Sequence, residues 1–443
     1  MARGSTVGEP IISVSGLRGV VGESLTPELA MRFACTFAGL APPGPIVLTR
    51  DGRASGTMLT DAIRGGLAAV GRDVLDVGVA ATPTTGVLVR QVPAAGGIQV
   101  SASHNPAQYN GLKLFSAEGR VLSAAAGRRV IERFRSGTIV WAAHDRIGSL
   151  LPQVDSIAEH ARLVLSIVDA ERIRKRRFRV LLDSNHGAGG LLGQHLLAEL
   201  GCQVTMLGQT ADGRFDHVPE PTAENLAGVL SQVASAGADA GFCQDPDADR
   251  LAIIDEQGNY LGEEYTLALC ADHVLRNEPG PVVTNCSSSR MTEDLAQRYK
   301  VPFFRTAVGE ANVVEAMESY DAVLGGEGNG GVIDPRVGYV RDAFVGMALV
   351  LDAMAARGLP LSSLAAELPR YEIVKTKVTL PADKVPGALA ALERHFSDAQ
   401  ADRLDGLRLD WPGKWLLVRA SNTEPIVRVI AEAGTAAEAR RLC

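Results

Sequence analysis

The chain has few cysteines, no long apolar run and no excess of basic residues. Its six cysteines are scattered and form no Cys-x-x-Cys pair, so we expect reduced thiols in a cytoplasmic protein. The N-terminal stretch lacks the basic start and apolar run of a signal peptide, and no segment is apolar for long enough to span a bilayer. A net charge of −7 argues against a general nucleic-acid binder.

The chain is long, and its sequence contains a weak internal repeat. Its 443 residues are too many for one ordinary core, so two to four domains are expected. Residues 46–51, 180–185 and 282–285 resemble short buried strands that end in polar residues. A helical stretch and a second apolar strand follow each one. This pattern predicts three α/β domains of one topology with mainly parallel or mixed sheets.

The region after about Arg370 has a different pattern. It predicts a strand over 373–380, a helix over 385–396 and strands around Leu416 and Val427, which is α+β. We expect domain boundaries at 1–150, 151–261, 262–368 and 369–443.

The most informative segment is Ser-Ala-Ser-His-Asn-Pro at 101–106, which breaks an apolar strand. Asn105-Pro106 marks a turn, because proline fixes φ and disfavours helix at the preceding residue. Ser103 therefore lies in a loop anchored by a strand, where chemistry is often carried, and Lys113 follows ten residues later. An ordinary strand-to-loop connection would have the same turn formers.

A second cluster has three alternating carboxylates, Asp245, Asp247 and Asp249, and ends at Arg250. A hard divalent cation needs several oxygen ligands, and this spacing supplies three in a curled loop. An EF-hand is excluded, because Arg250 stands where its sharp turn needs glycine and β-rich sequence flanks the loop. Mg²⁺ fits better, since it takes few protein carboxylates and keeps places for water and phosphate.

Two further clusters carry ligand-binding residue types. Residues 325–331 are Gly-Gly-Glu-Gly-Asn-Gly-Gly, which predicts a loop that approaches a ligand closely, with Glu327 and Asn329 as its hydrogen-bonding side chains. Near the C-terminus, arginines flank a run of hydroxyl and amide side chains, which is typical of a phosphate cradle. The candidate phosphate ligands are Arg419, Ser421, Asn422, Thr423 and Arg428.

In this order, the four clusters resemble the α-D-phosphohexomutase superfamily. The resemblance covers nearly the whole chain, from Gly-Leu-Arg-Gly at 16–19 to the phosphate cluster. It implies that one motif from each of the four domains faces a central cleft. It also implies an intramolecular phosphotransferase that interconverts hexose 6-phosphate and hexose 1-phosphate.

The resemblance further implies a phosphoserine mechanism. Ser103 would pass its phosphoryl group to the sugar, giving a hexose 1,6-bisphosphate, and would then take back the other phosphoryl group. Mg²⁺ on the three aspartates would also bind the Ser103 phosphate, while Lys113 and Arg18 would steer protons and stabilise the transferring group. His104 would position phosphate or loop.

Substrate contacts follow from the same resemblance. Glu327 and Asn329 would bind the ring, the phosphate cluster would hold phosphate, and Arg250 would also bind the substrate. The Gly-Glu-Gly-Asn-Gly-Gly variant, with Gly331 where many members have histidine, looks more like archaeal-type phosphoglucosamine mutases than dual phosphomannomutase/phosphoglucomutases.

Several alternatives stay open at this point. The sugar can be mannose or glucose instead of glucosamine. A metal-dependent phosphatase is disfavoured, because four closing domains should exclude water. A catalytically dead sugar-phosphate sensor predicts loss of the serine, the metal ligands or the phosphate loop, and all are present. The expected partner is a small-molecule sugar phosphate, with no nucleic acid or membrane, and the chain can be a monomer or a homodimer.

Overall fold

The structure, a computed structural model, describes residues 9–420 and 426–443. Its first sheet has six strands in the order β1-β2-β6-β5-β3-β4. The strands are β1 (Ile11–Ser13), β2 (Gly16–Val20), β3 (Ile46–Arg50), β4 (Val74–Val79), β5 (Gly96–Val100) and β6 (Tyr109–Phe115). The helices around it are α1 (Pro27–Leu40), α2 (Gly56–Ala69), α3 (Thr82–Gln91) and α4 (Ala124–Arg135).

The second sheet has the strand order β10-β9-β7-β8. Its strands are β7 (Arg179–Asp183), β8 (Gln203–Leu207), β9 (Ala240–Gln244) and β10 (Leu251–Asp255). The accompanying helices are α5 (Ala158–Ser166), α6 (Ala170–Arg176), α7 (Gly190–Glu199) and α8 (Ala227–Ser235).

The third sheet has the strand order β12-β11-β13-β14. Its strands are β11 (Val282–Asn285), β12 (Phe303–Thr306), β13 (Leu324–Glu327) and β14 (Gly331–Ile333). The helices are α9 (Glu263–Asn277), α10 (Met291–Tyr299), α11 (Glu310–Tyr320), α12 (Ala343–Arg357) and α13 (Leu361–Ala366).

One topology is repeated in these three sheets. In each, a central strand pairs in parallel with the next two strands of the chain, and the later of these pairs antiparallel with a fourth. The first sheet adds the hairpin β1–β2 beyond its fourth strand. The prediction of three α/β units with mixed sheets of the same topology is therefore confirmed.

The C-terminal region is α+β, as predicted. Its antiparallel sheet has the order β15-β19-β18-β17-β16. The elements are β15 (Glu372–Thr379), α14 (Val385–His395), β16 (Gln400–Asp402), β17 (Leu407–Trp411), β18 (Lys414–Ala420), β19 (Ile426–Ala433) and α15 (Ala436–Leu442). The sequence pattern missed β16 and β17.

A shared core fixes the second sheet against the third. Helix α12 is buried from Ala343 to Met354, and its Phe344 and Met347 pack in the same cluster as Leu182 of β7 and Leu196 of α7. Asp342 caps the start of this helix, and its carboxylate accepts the backbone N–H groups of Phe344 and Val345 at 2.8 and 3.2 Å. The loops of these two sheets are thereby held at fixed positions relative to each other.

The glycine-rich segment is not one loop, so that prediction is wrong. Strand β13 continues to Glu327 and β14 begins at Gly331, so only 328–330 form the turn. Packing explains the glycines within strands. A Cβ on Gly325 would lie 2.3 Å from Met317 Sδ, and a Cβ on Gly326 would lie 2.4 Å from the carbonyl oxygen of Gly331.

Candidate active site

The three candidate loops occupy one equivalent position in the repeated topology. The serine turn joins β5 to β6, the aspartate loop joins β9 to β10, and the glycine turn joins β13 to β14. Each therefore links the third and fourth strands of the repeated four-strand unit. Hydrogen bonds across the domains bring side chains of all three connections into one buried cluster.

Ser103 lies in a strained backbone conformation. Its φ is +50°, the left-handed region that a non-glycine residue rarely adopts. Ser101 holds it there: the Ser101 hydroxyl accepts the Ser103 N–H at 2.8 Å and donates to Asp51 Oδ2 at 2.7 Å. Ser103 Oγ thereby points away from its own sheet and donates to Asp245 Oδ2 at 2.7 Å.

Arg53 holds the serine turn in place through its backbone carbonyls. The sequence pattern did not predict this role of Arg53. Its guanidinium donates to the backbone carbonyls of Ser103 at 2.6 Å, Pro106 at 2.7 Å and Tyr109 at 3.0 Å. Its Nε donates to Asp51 Oδ2 at 3.1 Å, and both side chains are buried. Arg53 therefore ties together backbone carbonyls from both ends of the serine turn. The available signal was the charged pair in Asp51-Gly52-Arg53 directly after a buried strand.

The aspartate loop is completely buried. Asp245, Asp247 and Asp249 each have 0% exposure, and one carboxylate oxygen from each lies within 4.8 Å of the others. Asp245 Oδ1 accepts the backbone N–H groups of Asp249 and Arg250, both at 3.2 Å, which curls the loop. The loop therefore presents its carboxylates toward Ser103.

Lysine and arginine side chains neutralise one side of the aspartates. Lys113 Nζ donates to Asp249 Oδ2 at 2.7 Å and also to Asp247 Oδ2. Arg341 donates to Asp249 Oδ2 at 2.6 Å, and the hydroxyl of Thr82 donates to Asp247 Oδ2. All these donors use the Oδ2 atoms.

The opposite side of the carboxylates fits a divalent cation. Asp247 Oδ1 and Asp249 Oδ1 are buried, and neither has a hydrogen-bond partner among the residues the structure describes. Buried anionic oxygens without a partner are costly, whereas carboxylate oxygens are the ligands that Mg²⁺ prefers. The residues present therefore fit the predicted magnesium ion.

The buried charges shift one another's pKa values. Burial, together with the charges of Asp247 and Asp249, holds the pKa of Asp245 well above its usual range. Burial would also raise the pKa of Asp249, but Arg341 and Lys113 outweigh it and lower that pKa. Burial opposes the charged form of Lys113, but Asp247 and Asp249 overcome it and raise the Lys113 pKa. Lys113 is thus a fixed positive charge near neutral pH.

Glu327 ends β13 within an ion-pair network. Its Oε2 accepts from Arg341 at 2.9 Å, and its Oε1 accepts from Asn285 at 2.7 Å. Arg341 also donates from Nε to Glu310 Oε2 at 3.1 Å. Arg341 thus links the aspartate loop to the glycine turn. The sequence pattern missed Arg341, Glu310 and Asn285; an Arg-Asp pair directly before an apolar helix was the available signal.

Asn329 lies in the turn itself, beside Glu327. Its Nδ2 is 3.4 Å from Glu327 Oε2. Its Oδ1 is buried and has no hydrogen-bond partner in the described part of the chain. The glycine turn therefore offers an unsatisfied acceptor next to a carboxylate.

Arg18 and His104 border the serine turn. Arg18 pairs with Gly111 in the strand register, which places it on the same sheet face as Lys113, and its Nη1 is 3.4 Å from Asn105 Oδ1. His104 Nδ1 is 3.4 Å from Ser103 Oγ. The charge of Arg250, with burial, lowers the pKa of His104 to about 2, so its imidazole is neutral.

The fourth domain brings two of the predicted phosphate ligands side by side. Arg419 at the end of β18 pairs in register with Arg428 on β19. Arg419 Nε lies 3.0 Å from Asp405 Oδ2. The other three predicted ligands, Ser421, Asn422 and Thr423, lie outside the described residues.

No helix among the described residues is long and apolar enough to cross a membrane. The six cysteines, all of them described, form no disulfide.

Known protein families match nearly all of the chain. Residues 10–139, 158–258 and 262–371 match the phosphoglucomutase/phosphomannomutase alpha/beta/alpha domains I, II and III, and residues 374–443 match the C-terminal domain of the same family.

Similar proteins cover the chain end to end. A phosphoglucomutase/phosphomannomutase of Thermococcus kodakarensis is 39% identical, covering 96% of this chain and 95% of the relative. A probable phosphoglucosamine mutase of Methanopyrus kandleri is 33% identical, covering 97% and 95%. Among solved structures, a phosphoglucomutase/phosphomannomutase family protein of Burkholderia thailandensis has a TM-score of 0.83 at 27% identity, covering 98% and 95%.

Three α/β domains of one topology, with a serine hydrogen-bonded into a triple-aspartate cluster, define an enzyme of the phosphohexomutase class. The chain belongs to the phosphoglucomutase/phosphomannomutase family, and the resemblance to the α-D-phosphohexomutases is confirmed.

Proposed function

We propose that this phosphohexomutase interconverts hexose 6-phosphate and hexose 1-phosphate through phosphorylated Ser103 and a hexose 1,6-bisphosphate. The hydrogen bond from Ser103 Oγ to Asp245 carries the proposal, because it joins the predicted nucleophile to the predicted metal loop across two domains. A free serine hydroxyl is a weak nucleophile, and a site dense in fixed charges is what its activation requires.

Different side chains of the site stabilise charge, bind the metal and position the turn around the transferring phosphoryl group. The Ser103–phosphorus bond breaks as a bond forms from phosphorus to the free sugar hydroxyl oxygen, and the proton of that hydroxyl passes to the departing Ser103 oxygen. After the bisphosphate turns over in the cleft, its other phosphoryl group transfers to Ser103 Oγ, the Ser103 proton passes to the sugar oxygen that is released, and phosphoserine is regenerated. Lys113 and Arg18 share one sheet face beside the turn and supply positive charge. Magnesium held by Asp245, Asp247, Asp249 and Ser103 would neutralise charge on the phosphoryl oxygens. Neutral His104 positions the turn.

The preferred sugar we propose is glucosamine. Its protonated amino group offers only hydrogen-bond donors. Asn329 Oδ1 is a buried acceptor without a partner in the described residues, and Glu327 adds a carboxylate beside it. An amino group would satisfy this acceptor and pair with that charge. Arg250, Arg419, Ser421, Asn422, Thr423 and Arg428 hold the phosphate groups in this proposal.

Glucose or mannose phosphate is the second candidate substrate. The Thermococcus kodakarensis relative named phosphoglucomutase/phosphomannomutase supports it, because that relative is more similar to this chain than the Methanopyrus kandleri one. A hydroxyl group can also donate to Asn329 Oδ1, although it brings no charge to Glu327.

The test compares kcat/KM for glucosamine 6-phosphate, mannose 6-phosphate and glucose 1-phosphate, with Mg²⁺ and a trace of glucose 1,6-bisphosphate. We expect glucosamine 6-phosphate to be used best. Mannose or glucose phosphate turning over about tenfold better, or about 1.4 kcal/mol, would leave a mutase but refute the glucosamine assignment.

Two variants sharpen the comparison. Asn329→Ser should lower the preference for glucosamine 6-phosphate, because the shorter hydroxyl withdraws the amide acceptor. Glu327→Ala should lower kcat/KM for every sugar, at about 1.5–3 kcal/mol for a hydrogen bond to a charged group. If Asn329→Ser lowers kcat/KM equally for all three sugar phosphates, Asn329 does not determine which sugar is preferred.

A further inference from the structure

A row of three cations crosses the sheet of the fourth domain. The strand register aligns Lys377 of β15 with Arg428 of β19, and Arg428 with Arg419 of β18. Aligned residues on neighbouring strands project from the same face. These side chains therefore form one line of positive charge, called here the cation row (Lys377, Arg428 and Arg419).

The row lies on the face that is turned toward the third domain. On that face Leu417 and Ile430, each two residues from a member of the row, pack with Cys286 of the third domain. The opposite face packs on α14 instead, as Val418 and Val427 cluster with Leu389. The cation row therefore lies beside the apolar contact between the third and fourth domains, on the same face of the sheet.

Hydrogen bonds connect this face to the glycine turn. Asp405 Oδ2, which lies 3.0 Å from Arg419 Nε, accepts the backbone N–H of Val308 at 3.0 Å. The next backbone N–H, that of Gly309, donates to Glu327 Oε1 at 3.2 Å. The face that carries the cation row is therefore directed at the active-site cleft.

Like charges directly opposite each other on neighbouring strands destabilise a sheet. Asp405 offsets Arg419 at 3.0 Å, but Lys377 and Arg428 are exposed members of the same row. An anion bound between the side chains of the cation row would attract all of them and offset their mutual repulsion. A phosphate dianion has the charge and the acceptor oxygens for several such donors.

We propose that Lys377 is a phosphate-binding residue that, with Arg428 and Arg419, grips the non-reacting phosphate of the substrate. This rests on the proposed mutase function. It adds a residue from β15, the first strand of the fourth domain, to Arg419 of β18 and Arg428 of β19. Because Lys377 touches the phosphate that is not being transferred, it acts on binding more than on the chemical step.

The test uses Lys377→Gln in the full chain, with Lys377→Arg as the conservative variant and Lys384→Gln as a matched control. Lys384 is an exposed lysine of the same domain that lies outside the row. Steady-state kinetics on glucose 1-phosphate, calorimetric Kd values for glucose 1-phosphate and inorganic phosphate, and the Tm with and without each ligand are measured.

We expect Lys377→Gln to raise KM and Kd for glucose 1-phosphate by about tenfold, or about 1.4 kcal/mol, with kcat within about twofold. Its ligand-free Tm should equal or exceed that of the wild type, because a repulsion is removed, while the ligand-induced rise in Tm should shrink. Lys377→Arg should retain binding, and Lys384→Gln should match the wild type.

Three results would overturn the proposal. The first is an unchanged Kd for glucose 1-phosphate in Lys377→Gln. The second is a lower ligand-free Tm in that variant, which would indicate a structural role for Lys377. The third is a loss of affinity for inorganic phosphate alone, which would indicate a free-anion site. If the wild type binds glucose 1-phosphate through Lys377 but turns over no hexose phosphate, the proposed function fails, and only the phosphate contact of Lys377 is retained.

Discussion

At the scale of single residues, the site depends on a serine and three aspartates held in positions that would be unfavourable without partners. Ser103 is at φ +50° and the aspartates are fully buried. Such strain and burial persist only where surrounding groups compensate for them. Substitutions that keep size but remove one chemical function should therefore separate chemistry from folding.

Ser103→Ala should lose mutase activity by several orders of magnitude, because no hydroxyl remains to carry the phosphoryl group. The variant should still fold and bind sugar phosphate, since the Ser103 N–H keeps its bond to Ser101. Turnover and ligand-induced Tm shifts check both parts. Ser101→Ala is a useful comparison, as it loosens the turn but leaves the nucleophile. Retention of even about a tenth of wild-type kcat would exclude Ser103 as the phosphoryl carrier.

Metal removal should abolish turnover, and Mg²⁺ should restore it. Asp247→Asn should weaken Mg²⁺ binding and lower the rate, because Asp247 Oδ1 is one of the buried oxygens without a partner in the described residues. Titration calorimetry gives the Mg²⁺ affinity independently of activity. Thr82→Val is the matched control, since it removes a bond only to the Oδ2 side of Asp247. Full activity in excess chelator after verified metal removal would contradict a metal role.

At the scale of elements, the serine turn is held in shape by one arginine that bonds several of its backbone carbonyls. Arg53 reaches carbonyls spread over seven residues, from Ser103 to Tyr109. Its planar fork suits this geometry, and a lysine could not bond several carbonyls at once. Turn geometry, and with it the Ser103–Asp245 hydrogen bond, should depend on that fork.

Arg53→Lys should therefore lower kcat while keeping the charge opposite Asp51. Arg53→Ala should in addition reduce the free energy of unfolding by about 3–5 kcal/mol, because Asp51 is left as an unpaired buried charge. Urea unfolding and steady-state kinetics measure the two effects. Arg50→Lys serves as control, since the guanidinium of Arg50 makes only a long hydrogen bond of 3.5 Å, to the Asp51 carbonyl, among the described residues. A wild-type kcat in Arg53→Lys would show that the geometry of the serine turn does not depend on the Arg53 guanidinium.

The sequence predicts the contiguous parts of the site and misses the parts that the fold assembles. Ser103, Asp245 and Glu327 stand out because unusual residue types occur together over a few positions. Arg341 bonds Asp249 across 92 residues of sequence, and Thr82 bonds Asp247 across 165, so neither pair has a local pattern. The same holds for Lys377, whose alignment with Arg428 depends on the order of strands in the sheet.

At the scale of the whole molecule, carboxyl groups at the junction of the domains couple stability to pH. Burial raises the pKa of Glu263 to about 7 and that of Glu264 to about 8. Glu264 Oε2 accepts the backbone N–H of Ser289 at 2.9 Å, so it joins α9 to the segment before α10. In the unfolded chain a glutamate titrates near 4.3.

The folded state therefore binds protons more tightly than the unfolded state. The stability from Glu264 is fully present below about pH 4.3 and is lost as pH rises toward about 8, at about 1.4 kcal/mol per pH unit. Urea unfolding at several pH values between these limits measures the slope. Glu264→Gln should flatten it, while Glu278→Gln, an exposed control, should not. An equal slope in wild type and Glu264→Gln would contradict this assignment.

The shared position of the three loops has a consequence for the history of the chain. The residues proposed as nucleophile, metal ligands and sugar ligand occupy the same strand-to-strand connection in three sheets of one topology. Triplication of one ancestral domain accounts for this arrangement, with divergence concentrated in a single connection. Comparison of the three domains with one another should then find shared ancestry in the apolar strands and almost none in the turns, so that the residues most important for catalysis are the poorest record of descent.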